Sequence, residues 1–260
     1  METTPEFGFS LSGGGARGVV QLGIMQALYE AGIRPTIIAG TSMGAINGLF
    51  LAAGYTPKET YEILLKNFDR KAIPYWRGVR KGFQNLIQIF QKYIDVTCFE
   101  DLDIPLYVSA TNLNTGKNEL ASQGNLLFDY VIASASIPII FPPRIINKHH
   151  YVDGGASNNF PTRVLVGKCD KIIGIHVNHI AEMNDFRNMF AIVERIYRIA
   201  IHSAIADRFD LCDFCIDPEE IMKYSMFDFD KMTEIYKLGY RLGKDFLSKN
   251  KQELVNMPIG

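Results

Sequence analysis

The stretch Ile37-Ile38-Ala39-Gly40-Thr41-Ser42-Met43-Gly44-Ala45-Ile46 decides how the chain is read. A short apolar run meets a glycine, a serine stands between two glycines, and a helical pattern of small residues follows. Strand, sharp turn and helix in that order are the context in which Gly-x-Ser-x-Gly forms a nucleophile elbow. A serine on so tight a bend projects its hydroxyl clear of the backbone, and Gly40 and Gly44 leave the room the bend requires. The pentapeptide alone is weak evidence in a chain with 22 glycines. A glycine-rich turn carrying an ordinary serine is the competing explanation, and the neighbouring stretches decide between them.

The 260 residues, 47% hydrophobic and 21% charged, suffice for one large core, so a single α/β domain over 1–260 is expected. A net charge of −1 offers no global attraction to nucleic acid. Cys98, Cys169, Cys212 and Cys215 are too sparse for a disulfide scaffold and indicate a reducing compartment. Cys212-x-x-Cys215 has no second pair. Its setting, Leu-Cys-Asp-Phe-Cys-Ile, alternates like a late strand with buried thiols. The N-terminus lacks the basic and apolar regions of a secretory signal, and no apolar run reaches transmembrane length. A cytoplasmic protein, at most peripheral to a membrane, is the expectation.

Upstream of the elbow, Phe7-Gly8-Phe9-Ser10-Leu11 alternates as a first strand and runs into Ser12-Gly13-Gly14-Gly15-Ala16-Arg17-Gly18, followed by a helix. Successive glycines after a strand expose backbone N–H groups, an anion-binding arrangement. Gly13, Gly15 and Gly18 also satisfy the dinucleotide fingerprint, but that reading needs a carboxylate at the end of the second strand, and none occurs from Gly32 to Lys58. No Gly-Lys-Ser/Thr closes the loop as a P-loop would require. An oxyanion hole uses the same donors, with Gly14 and Gly15 meeting the charge that acyl transfer puts on a carbonyl oxygen. In a parallel sheet the first two loops open at the same carboxyl edge, so the glycine loop and Ser42 would be neighbours. Arg17 either holds the loop through a carboxylate or meets a substrate phosphate.

Residues 69–99 change character. Arg70, Lys71, Arg77, Arg80 and Lys81 surround Tyr75 and Trp76, and Phe83, Leu86, Ile87, Phe90, Tyr93 and Ile94 form one apolar helical face. That combination suits an interfacial lid or acyl-chain wall, with a helix packed on the core as the plainer explanation. Further on come a third core strand around 104–113 and a return strand after the turn at Asn114. The proline-rich stretch Ala133–Pro143 and Tyr151-Val152-Asp153-Gly154-Gly155 follow, then a late strand over Lys171–Val177. Aspartate before two glycines is commonly only a turn. Residues 178–260 read mainly as covering helices, over 186–207 and 230–247.

Taken together and in this order, four stretches resemble the patatin-like phospholipase family. Gly13-Gly14-Gly15-Ala16-Arg17-Gly18 is similar to its oxyanion loop and Gly40-Thr41-Ser42-Met43-Gly44 to its elbow. Ala133–Pro143 is similar to its proline-rich block and Asp153-Gly154-Gly155 to its Asp-Gly-Gly/Ala motif. The resemblance spans roughly 7–177. It implies a three-layer α/β/α sandwich with a mainly parallel sheet, and a Ser42–Asp153 catalytic dyad. It also implies an oxyanion hole from Gly13, Gly14 and Gly15, with Arg17, Gly40, Gly44 and Gly154 in support. The implied activity is hydrolysis of acyl esters of phospholipids or related lipids. No metal or cofactor is expected, and the basic, aromatic stretch within 69–99 suggests transient contact with a membrane surface. An aspartate is an ordinarily weak base, so a histidine triad competes, with His176 or His179 in the required chain order. Strand alternation puts His149 on the face of Asp153, where it could line the site together with Trp76, Phe83, Leu86, Ile87 and Phe90. The rival classes are a lipid-binding module with weak catalysis and a nucleotide-binding protein using Gly13–Gly18.

Overall fold

The computed structural model describes residues 6–68, 79–138, 140–182, 184, 186 and 189–255, with backbone alone at 79–85, 190–191, 203–206 and 251–252. Alternation builds the first strand. In β1 (Phe7–Leu11) the side chains of Phe7, Phe9 and Leu11 enter the main core, while the Ser10 hydroxyl faces the other side and bonds Thr162. Parallel neighbours flank it on both sides, β2 (Pro35–Thr41) and β7 (Lys171–Ile175), and all five residues are buried. β3 (Leu106–Asn112) continues the parallel set beyond β2, and β8 (Phe214–Ile216) continues it beyond β7. The remaining strands are antiparallel to their neighbours. β4 (Lys117–Ala121) and β6 (His149–Asp153) both pair with β3, and β5 (Arg144–Ile146) pairs with β6. Among the described residues the sheet has eight strands in the order β5-β6-β3-β2-β1-β7-β8, with β4 beside β3.

Register on β3 prepares the site. Thr41 of β2 stands opposite Ser109, and Asp153 of β6 stands opposite the next residue, Ala110. β4 covers the opposite edge of β3 from Val108 to Asn112. Thus β2 and β6 share one edge of β3, run toward each other, and meet at their carboxyl ends.

One face of the sheet is covered by α1 (Val19–Glu30), α2 (Met43–Ala52), α3 (Pro57–Asn67), α4 (Val79–Tyr93) and α5 (Leu127–Ser134), which bury their apolar residues in one large core. The other face is thinner. It carries the short 3-10 turn Thr162–Leu165 and α6 (Met189–Ile205), with small clusters around Leu165 and around Phe160 and Ile201. A last helix, α7 (Met232–Val255), returns to the large core. The result is an α/β/α sandwich. Local signals set the start of α3, where Thr56 and Glu59 form a reciprocal capping box.

Two sequence expectations need correction. Leu86 and Phe90 of α4 do not line a lipid path. Both are buried in the large core, where the Phe90 ring centroid stands 6.1 Å from that of Phe50 and 5.6 Å from that of Phe128. Ile87 packs half-buried against the same core. The apolar stripe of α4 is a packing face, because α5 and the Phe50 ring already occupy the space it would offer an acyl chain. Trp76, with Tyr75 and Arg77, lies outside the described residues, as do the side chains of Phe83, Arg80 and Lys81. The thiols of the Cys212–Cys215 pair are not both buried either. Phe214 and Ile216 point inward, so alternation turns Cys215 out to solvent.

A core role for α4 has a measurable consequence. Phe90→Ala should cost about 3–5 kcal/mol in urea unfolding, the usual penalty for emptying a buried aromatic site. A loss near zero would mean that the ring is free to face a ligand.

Candidate functional site

The chain leaves β2 at Thr41 and enters α2 at Met43, so Ser42 makes the whole turn. Its backbone sits at φ 54° and ψ −122°, a left-handed conformation that costs a non-glycine residue on the order of 1–3 kcal/mol. The turn closes only because its neighbours lack side chains. A Cβ on Gly40 would lie 2.5 Å from the Gly44 carbonyl oxygen, and one on Gly44 would lie 2.3 Å from that of Leu11. The strain is held from outside. The Ser42 N–H donates to Ser134 Oγ at 2.8 Å, and the Thr41 hydroxyl donates to the Asn158 carbonyl at 2.9 Å.

Asp153 ends the strand that meets β2 head-on. Its N–H donates to the Ser136 carbonyl at 3.0 Å, so the segment 134–136 anchors both Ser42 and Asp153. The carboxylate is 2% exposed, accepts a hydrogen bond from the Gly155 N–H at 2.7 Å and shares a cavity with Ser42. Burial pushes its pKa from 3.8 up to about 6, and the Ser42 hydroxyl and the Gly155 N–H, which favour the anion, offset only part of that rise.

The glycine loop packs directly on the elbow, where a Cβ on Gly13 would lie 2.9 Å from Ser42 Cβ. The carbonyls of the loop are held away from Ser42: Gln21 Nε2 donates to Ser12 O at 2.8 Å and Asn178 Nδ2 to Gly13 O at 2.6 Å. The N–H of Gly13 donates to the Asn159 carbonyl at 3.2 Å, and that of Ala16 to Met226 O at 2.9 Å. This corrects the expectation for Gly13, whose donor is already engaged. The N–H groups of Gly14 and Gly15 have no hydrogen-bond partner among the described residues. Gly15 adopts φ +56°, and a Cβ there would lie 2.2 Å from Met226 O, so the loop can take this course only with glycine.

Arg17 is 1% exposed and anchors the loop. It pairs with Glu194, donates from Nε to the Tyr224 carbonyl at 2.8 Å and from Nη1 to Asn178 Oδ1 at 3.4 Å. Burial pushes its pKa down to about 10, with Glu194 working against the fall, so it remains a cation at neutral pH. Of the two roles its sequence allowed, the geometry is that of a structural tie.

The histidines sit elsewhere. His176 and His179 direct their Nδ1 atoms at the two oxygens of Asp217, at 2.7 and 2.8 Å. His149 is exposed and bonds Asn112 at 3.1 Å. It shares a face with Asp153 but stands four residues along the strand, roughly 13 Å away. Among the described residues, no cluster of three His, Cys, Asp or Glu side chains is arranged to hold a metal ion.

A cavity of about 10 Å³, room for one water, lies over Gly13, Gly14, Ser42 and Asp153. Its other walls are Asn159, Asn178, Tyr197, Arg198, Ile201 and Met226. None of these six stood out in the sequence. The only available hint was in α6, where Glu194 and Arg198 recur one turn apart among apolar residues.

An α/β/α sandwich that brings a serine and a carboxylate together at the carboxyl edge of its parallel strands belongs to a narrow class. Residues 9–166, more than half of the chain, match the family model described as patatin-like phospholipase, and the chain belongs to that family. It is 28% identical over 285 residues to lysophospholipase NTE1 of Kluyveromyces lactis, covering 95% of this chain and 20% of that one. It is 29% identical over 284 residues to lysophospholipase nte1 of Aspergillus niger, covering 95% and 18%. The chain thus spans about a fifth of the length of these curated relatives. Among solved structures, VipD from Legionella pneumophila superposes with a TM-score of 0.50 at 16% identity, covering 90% of this chain and 67% of that one.

Burying Asp153 has a thermodynamic signature. Its native pKa of about 6 stands above the ordinary 3.8, so the native state holds a proton that the unfolded chain releases between those values. The stability this group contributes is full below about pH 4 and is lost as pH rises through 6, a difference on the order of 3 kcal/mol. Asp153→Asn should therefore melt above the wild type at pH 8, with the gap closing toward pH 4. An equal gap at both pH values would mean that the carboxylate is not desolvated.

Proposed function

We propose that the protein is a lipid acyl hydrolase in which Ser42 is the nucleophile and Asp153 its base. The observation that carries this reading is a hydroxyl on a strained elbow and a buried carboxylate lining one small cavity, beside two glycine N–H groups unengaged among the described residues. Ser42 Oγ attacks the ester carbonyl carbon and its proton passes to Asp153. The carbonyl oxygen becomes an anion held by the N–H groups of Gly14 and Gly15, each such donor being worth about 3 kcal/mol of barrier. Collapse expels the alcohol, which takes the proton from Asp153. Water then attacks the acyl-enzyme with Asp153 again as base, and the fatty acid leaves.

A carboxylate with a pKa near 6 suits this task better than an ordinary one, because proton transfer from serine is less uphill. The relatives named lysophospholipases favour a phospholipid carrying a single acyl chain as the substrate. The helix N-terminus that follows Ser42 adds a positive dipole where negative charge develops.

Ser42→Ala should reduce kcat on a short p-nitrophenyl ester to background and abolish labelling by a fluorophosphonate, without loss of the folded state. Persistent labelling or turnover would mean that another residue is the nucleophile.

The pH profile tests the base. Asp153 must be ionised to accept the serine proton, so kcat/KM of the wild type should be flat above about pH 6 and fall roughly tenfold per unit below it. Asp153→Asn should remove that limb along with nearly all activity. A limb near pH 7 that survives the substitution would assign the base to a histidine.

A further inference from the structure

Helix α6 is amphipathic the wrong way round. Its inward face presents Glu194, Arg198 and the Tyr197 hydroxyl to the protein, together with Ile201. Its outward face presents Met189 at 72% exposure, Val193 at 42%, Ile196 at 61% and Ile199 at 46%, spaced three and four residues apart along one stripe. Phe186, just before the helix, is 47% exposed as well. Water is a poor solvent for such a surface, and contiguous apolar patches of this kind mark contact sites.

The same helix roofs the proposed catalytic pair. Tyr197, Arg198 and Ile201 close the cavity over Ser42 and Asp153, and the remaining 10 Å³ holds no more than a water. An ester carbonyl with its acyl chain reaches Ser42 only if this roof moves. The roof is fastened mainly through polar groups. Glu194 receives Arg17, the Ser225 hydroxyl at 3.0 Å and the Met226 N–H at 3.2 Å, and Arg198 Nη2 donates to the His179 carbonyl at 2.6 Å. The fit is incomplete, because the Tyr197 hydroxyl and Arg198 Nε are buried without a hydrogen-bond partner among the described residues. Each such orphan loses its hydration without a replacement bond. The seated helix is thus penalised on both faces, by apolar groups in water outside and by unpaired polar groups inside.

We propose that the outward stripe of α6, Met189, Val193, Ile196 and Ile199, is the docking surface for a lipid aggregate, and that docking lifts this helix to admit substrate to Ser42. The inference rests on the hydrolase reading above for the nature of the substrate. A lipid surface is the occupant that fits, because the stripe lies on the barrier the lipid ester must cross, so one contact both delivers substrate and stabilises the open roof. Among the described residues no helix is long and apolar enough to cross a membrane. Contact through α6 is accordingly peripheral, with the helix lying in the interface plane.

The test uses the full chain, its Val193→Gln/Ile196→Gln variant and phosphatidylcholine vesicles, which carry no net charge and so isolate apolar docking. Glutamine is a good helix former, and neither position lines the cavity. The wild type should float with the vesicles and the variant should bind about tenfold more weakly or worse, as expected for removing two half-exposed apolar side chains from the contact. Hydrolysis of vesicle-borne lysophosphatidylcholine should fall in parallel, while turnover of a soluble short-chain ester stays unchanged. Fluorophosphonate labelling of Ser42 in the wild type should accelerate when vesicles are added. As a check independent of the variant's folding, Ile196→Cys carrying an environment-sensitive fluorophore should shift to the blue on vesicles. Equal vesicle binding by wild type and variant, or no blue shift, overturns the proposal. So does a dimer that the double variant converts to monomer with vesicle binding unchanged, which would make the stripe a contact between copies. If Ser42 is never labelled but the vesicles still capture the wild type through the stripe, the hydrolase reading fails and the docking surface stands.

Discussion

The site depends on two strands that approach each other along one edge of a third. β2 runs parallel to β3 and β6 antiparallel to it, and both end where Ser109 and Ala110 adjoin. Adjacent residues on one strand are only about 3.8 Å apart at Cα, so their partners cannot be far from each other. The residue that follows β2 is Ser42 and the last residue of β6 is Asp153. Hydrogen-bond ladders, among the stiffest parts of a protein, thereby set the distance between hydroxyl and carboxylate. A third segment, 134–136, hydrogen-bonds both backbone N–H groups and keeps the two strand ends from sliding apart.

Around that meeting point the electrostatics are a balance of opposed effects. Removing Asp153 from water favours its protonated form, whereas the Ser42 hydroxyl and the Gly155 N–H favour the anion. Burial wins, and the carboxyl ends near the middle of the useful range instead of at the bottom of it. The proposed two-residue chemistry has a physical logic. Where a histidine triad uses imidazole for its pKa, desolvation would give a carboxylate base a similar proton affinity. The histidines with the required chain order, His176 and His179, instead share Asp217.

The part of the chain beyond the family match is not a passive cover. Residues 9–166 carry the loop, the elbow and the aspartate, yet Glu194 anchors Arg17, Met226 accepts the Ala16 N–H, and α6 forms the roof of the cavity. The glycine loop is therefore tied to the same helix that roofs the cavity over Ser42 and Asp153. On the proposed docking, movement of α6 would loosen the Arg17–Glu194 tie and so couple entry of substrate to the rigidity of the glycine loop.

Much was legible locally. Alternation in Phe7–Leu11, the apolar run before Gly40 and the small-residue spacing around Ser42 each depend on neighbours a few residues away. What the sequence could not express is partnership at a distance. Which of Gly13, Gly14 and Gly15 keeps a free N–H depends on the carbonyl of Asn159, 146 residues on from Gly13, and the role of Arg17 depends on Glu194, 177 residues on. Periodicity states which face of a helix is apolar but not what lies against it. The stripe of α4 suggested lipid and is buried in the core, whereas the stripe of α6 passed as an ordinary covering helix and faces solvent. His149 shows the same limit, since alternation assigns a side of the sheet without measuring the distance along the strand. By itself the sequence determined the strands, the elbow and the residue types of the site, because these follow from short-range sterics and burial. Only the tertiary structure decided which groups meet, because strand register and helix packing settle that between residues the chain keeps far apart.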